Sequence, residues 1–130
     1  MKKIIGIVAL ILLVAVPAFG WGTCYKQLTS SSNNQEVLSV SSERYCFVKT
    51  VTIQNTDTDA VTVTVHFEGS AGQFNRLTPP VYLENKGDGY AIDFAEHIVG
   101  GKGLDIDADV SGTTPTVEIF IEYMVAHQPH

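Results

Sequence analysis

From Val61 the chain reads Val-Thr-Val-Thr-Val-His-Phe, and from Val117 apolar residues again fall on every second position: Val117, Ile119, Ile121, Tyr123 and Val125. Successive side chains of a strand point to opposite faces, so a period of two encodes a half-buried strand; helical apolar positions recur at three and four. The same alternation links Val48, Val51 and Ile53 around Thr50 and Thr52, and Leu104, Ile106, Ala108 and Val110 around three aspartates. After Gly20 the chain holds 12 Val, 6 Ile and 12 Thr against 5 Leu and 6 Ala. β-Branched side chains pack on a pleated surface and lose rotamer freedom in a helix, so this balance predicts an all-β fold. Strands separated by turns about every 10 residues predict one β-sandwich or jelly roll of about seven to eight antiparallel strands. Asn55 to Asp59 reads as the turn of a hairpin, and Asn85 to Gly89 as a second turn between Val81–Glu84 and Tyr90–Phe94. Ile92 to Val99 alone suits a turn or two of helix.

The first 20 residues belong to a different object. Lys2 and Lys3 precede an apolar run from Ile4 to Val16, and Pro17-Ala18-Phe19-Gly20 places small residues three and one positions before a cut after Gly20. That is the pattern of a cleavable signal helix. Ile4 to Phe19 supplies 16 residues, short of the roughly 20 that span a bilayer. Trp21-Gly22-Thr23 is no lipobox for Cys24, and a prepilin would carry its apolar stretch after the processing glycine. The expected product is secreted, extracellular or periplasmic, and touches a membrane only during export. The remaining 110 residues hold six basic and 14 acidic side chains, a net charge of -8. Such a balance argues against nucleic acid, whose phosphates call for a basic footprint. The size suits one domain with one core, laid out as signal peptide 1–20, polar N-terminal arm and first short strand 21–43, sandwich 44–126 and tail 127–130.

Cys24 and Cys46 are an even pair in an oxidising compartment, so a disulfide closing a loop of about 20 residues is expected, stabilising by roughly 3 to 4 kcal/mol. Asp105, Asp107 and Asp109 would line one solvent face of a strand. If Val110 pairs with Val117 in a hairpin, Asp109 comes opposite Glu118 and Asp105 opposite Glu122. Facing like charges are unfavourable. Such a ribbon has three readings: a solvated face, a site for a basic protein partner, or a calcium site on Asp105, Asp107, Asp109, Glu118 and Glu122. It is no EF-hand, because Val110 and Thr116 stand where Gly and Glu are needed. No other cofactor is expected.

His66, His97, His127 and His130 are too scattered for a zinc site. Glu96-His97 has no nucleophile in a recognisable elbow, and Gly100-Gly101-Lys102-Gly103 reads as a loop entering a strand rather than a phosphate loop. No enzyme is expected. Phe74, Tyr82, Tyr90 and Phe120 have no burial assigned by the pattern; they either cap the ends of the sandwich or offer ring faces to a carbohydrate.

The order of features from Val48 to Val125 is similar to small β-sandwich accessory proteins of virions, particularly phage decoration and tail-associated subunits. The resemblance is carried by Val51-Thr52-Ile53-Gln54-Asn55-Thr56, then Val61 to Val65, then Gly101-Lys102-Gly103-Leu104-Asp105-Ile106, then Val117 to Tyr123. The leader and the cysteine pair depart from that pattern and point to an extracellular fibre or surface-layer subunit. The resemblance implies no catalytic residues. It implies a structural, assembly or adhesion role, by self-association or with another protein, the alternative being a secreted module that binds calcium or carbohydrate. In the assembly reading, Trp21 to Asn34 would add as a strand to a neighbour's sheet edge.

Overall fold

The computed structural model describes residues 20–72 and 74–127; the expected signal helix and His130 of the tail lie outside them. Eight strands follow one another: β1 (Gly22–Leu28), β2 (Ser32–Leu38), β3 (Tyr45–Asn55), β4 (Val61–Phe67), β5 (Val81–Leu83), β6 (Gly89–Val99), β7 (Ile106–Gly112) and β8 (Val117–Ala126). They form two antiparallel sheets, ordered β1-β8-β3-β6 and β2-β7-β4-β5. Every step along the chain changes sheet except β4 to β5. That interleaving is the jelly roll, and no helix occurs among the described residues.

The period-two residues meet between the sheets. Val48, Val51, Ile53, Val61, Val63, Val65, Ile106, Ala108, Val110, Val117, Ile119 and Ile121 are all buried. Each such side chain taken from water contributes on the order of 1.5 to 3 kcal/mol, which makes this layer the main source of cohesion.

Two local expectations are corrected. The hairpin expected at Asn55 to Asp59 is absent, because β3 and β4 lie in different sheets; the second turn likewise joins strands of different sheets, β5 and β6. The Asn55 turn crosses the sandwich instead. Asn55 is fully buried; its Nδ2 donates to the carbonyls of Asp59 and Leu83, and its Oδ1 accepts the Asp57 N–H. Ile92 to Val99 belongs to β6, where pairing with β3 jumps from Thr50↔Asp93 to Val48↔Ile98. Four residues there face Lys49 alone, a bulge that sets His97 5.2 Å from the Phe47 ring and 6.0 Å from Trp21.

The polar segment 21–43 is no free arm. β1 pairs with β8 from Gly22↔Tyr123 to Leu28↔Val117, and β2 pairs with β7. Both are edge strands, and few of their side chains reach the interior: Leu28 and Val37 are buried, and half-buried Cys24 packs against the core. An edge strand can therefore fold with hardly any apolar alternation.

The Gly100–Gly103 stretch is the expected loop into a strand. A Cβ on Gly100 would lie 2.5 Å from the Phe67 ring, and Gly103 adopts φ +74° with its Cβ position 2.9 Å from the Ser42 carbonyl. Neither place admits a side chain without movement.

Candidate functional site

Along β7, burying Ile106, Ala108 and Val110 turns Asp107 and Asp109 to the outer face of the second sheet, with Asp105 just before the strand. β2 lies on one side of β7 and β4 on the other. Register then sets four ionisable residues side by side across the sheet: Glu36, Asp107, His66 and, on the loop after β4, Arg76.

The aspartates act on backbone. β2 loses register with β7 between Ser32 and Gln35 and again between Glu36 and Leu38. At the first shift Asn34 sits at φ 55°, and its N–H donates to Asp109 Oδ1 at 2.8 Å. Just beyond the second, the Val40 N–H donates to Asp105 Oδ1 at 2.6 Å. A backbone donor that loses its ladder acceptor needs another. Two carboxylates supply it here, so β2 is fastened to β7 by side chains where the ladder fails.

His66 occupies the centre of this clasp, fully buried. Its Nδ1 is 2.6 Å from the Phe67 carbonyl oxygen and its Nε2 is 3.0 Å from Asp109 Oδ1. A carbonyl and a carboxylate both accept. A neutral imidazole has one N–H and can donate to only one of them; the doubly protonated ring can donate to both. Asp107 is buried beside it. Burial pushes its carboxyl above the usual range; His66 pulls it back, while Glu68, Asp105 and Glu36 push it further up.

The acidic ribbon expected across β7 and β8 does not form. Glu118 and Glu122 stand on β8 in the other sheet, so neither faces an aspartate of β7. Glu118 accepts the Tyr25 hydroxyl at 3.0 Å, and Glu122 lies between Thr23 and Thr50. Among the described residues no three carboxylate, imidazole or thiol groups are gathered to hold a metal ion.

The expected disulfide is likewise absent: Cys24 and Cys46 are free thiols. β8 lies between β1 and β3, so two interstrand steps of about 4.8 Å part their backbones, beyond the roughly 7 Å of Cα separation that a disulfide spans. Cys24 Sγ donates instead to the Val37 carbonyl at 3.4 Å. Burial, with Cys24 adding, pushes the Cys46 thiol up to about 12, which leaves it unreactive near neutral pH.

Of the aromatic residues singled out, Phe74 is 96% exposed and Tyr82 64%. Tyr90 packs against the core, and Phe120 lies 5.0 Å from Tyr25 on the outer face of the first sheet. His97 is held in the bulge of β6, with Glu96 and His127 exposed. Sequence reasoning passed over His66 as one scattered histidine. Its only local signal was a titratable residue on the outward row of β4, and that row gains meaning only once β7 is known to be the neighbour.

No family model matches the sequence, and no curated protein matches it. Solved structures do match. The chain is similar to a protein of the acidic stable capsid of Helicobacter pylori bacteriophage KHP30, with a TM-score of 0.57 and 11% identity over 86% of this chain and 92% of that one. The likeness is one of fold. Weaker similarity reaches the Bacillus endospore appendages that form disulfide-linked pili, at a TM-score of 0.45 and 11% identity over 80% of this chain and 84% of the other. The Drosophila NLP core matches at 0.45 and 12% identity over 78% and 97%. A capsid protein thus stands among the structural neighbours, in keeping with the virion resemblance of the sequence.

Proposed function

We propose that this protein is a secreted, non-enzymatic structural subunit that works through its outer surface, associating with further copies of itself. The observation that carries the reading is how the candidate chemical groups are used. Both nitrogens of His66 are engaged, Asp105 and Asp109 hold backbone amides, Glu118 holds Tyr25, and the thiols lie inside. These groups are committed to the fold, which leaves the surface to do the work. The capsid protein of similar fold is a precedent for a jelly roll acting as an assembly subunit. Phe74, beyond the end of β4, offers an almost wholly exposed ring, the type of anchor that interfaces bury.

The experiment is sedimentation velocity on the exported protein over a wide concentration range, with its intact mass measured alongside. The expected result is a chain beginning at Trp21 that forms larger species as concentration rises, with Phe74→Ser shifting the distribution toward monomer. A species that stays monomeric at every concentration would overturn assembly, and a mass that includes residues 1–20 would overturn the secretory cut.

A further inference from the structure

We propose that His66 is a proton-operated latch on edge strand β2: the doubly protonated ring holds Asp109 against the Asn34 amide, and loss of one ring proton to water frees β2 from sheet β2-β7-β4-β5. The inference is independent of self-association.

The latch follows from three features of the clasp. The ring lies between two acceptors, a carbonyl at 2.6 Å and a carboxylate at 3.0 Å, so a singly protonated ring must turn a bare lone pair toward one of them. The same carboxylate oxygen also holds Asn34, so whatever weakens its position acts on β2. The strand, finally, is poised for release, because its ladder is broken twice and side-chain acceptors stand in near both breaks.

The surrounding charges set the direction. β7 and the residue before it present Asp105, Asp107 and Asp109; β2 presents Glu36; Glu68 follows β4; and Arg76, on the loop, is the other cation in the row. Taking the proton from His66 removes a positive charge from among these carboxylates, so they repel one another more strongly and β2 loosens as pH rises. Release would bare the edge of β7, whose unpaired N–H and C=O groups can accept another strand.

Amide hydrogen exchange tests this, read at about pH 5.5 and about pH 8, across the range where histidine side chains change charge, and corrected for the intrinsic rate. In the wild-type protein, protection of Ser32–Leu38 is expected to fall about tenfold or more between the two values, while β3 and β8 keep theirs. His66→Gln should abolish that difference. Equal corrected protection of β2 at both values overturns the latch, as does an unchanged pH effect in His66→Gln. Should that variant fail to fold, nitrogen NMR of the wild-type ring decides: both His66 nitrogens protonated at the lower pH and one at the higher supports the latch, and a ring in a single protonation state throughout refutes it.

Discussion

Asp107 lies on β7 between Glu36 and His66, buried, with its carboxyl held above the usual range by that burial. A carboxyl whose folded-state pKa is raised binds its proton more readily when folded than when unfolded. It therefore opposes folding more as pH climbs from about 4, the unfolded value, through the folded one. Asp107→Asn keeps the shape and removes the charge. Thermal melts should show the variant more stable than wild type at pH 7, with the gain shrinking as pH falls through the raised folded value and gone below about 4, where both proteins carry a neutral group. A variant less stable at pH 7 would mean that attraction to His66 outweighs burial. The aspartates were legible in the sequence as an outward row of a strand; their partners were not. Asn34, Val40 and His66 lie 75, 65 and 43 positions from the aspartates they bond, and such separations leave no local pattern.

At the scale of elements, the central strands were legible because each buries several alternating side chains, as β4 and β8 do. β1 and β2 were not, because an edge strand is largely polar. Their assignment to an arm was a failure of the apolar pattern where little apolar surface is needed. The disulfide failed for a related reason: Cys24 and Cys46 face the same interior from strands that are not neighbours, and a count of cysteines says nothing of the strand between them. Intact mass of the protein under non-reducing conditions should equal that of the fully reduced chain, and a reductant should leave the melting temperature unchanged. A mass short by two hydrogens, with a lower melting temperature on reduction, would show that β1 and β3 approach each other in a way this sheet order forbids.

For the whole molecule, the sequence specified the architecture more firmly than the connections. Alternation, turn spacing and β-branched content predict a β-sandwich or jelly roll of about seven to eight strands, and eight strands in two sheets are present among the described residues. The same turn residues serve a hairpin or a crossing between sheets, since Asn55 satisfies its own turn in either setting. Pairing β7 with β8 was for that reason a natural reading and an incorrect one. The sheet order parts the acidic strands and turns two aspartates of the β7 segment into fasteners for β2. Cross-strand nuclear Overhauser contacts test that order most directly. The expected set joins Val63 with Val110, Glu36 with Asp107, Lys26 with Ile119 and Ile53 with Ile119. Contacts between Val110 and Val117 and between Asp109 and Glu118, the signature of a β7–β8 hairpin, would contradict the account.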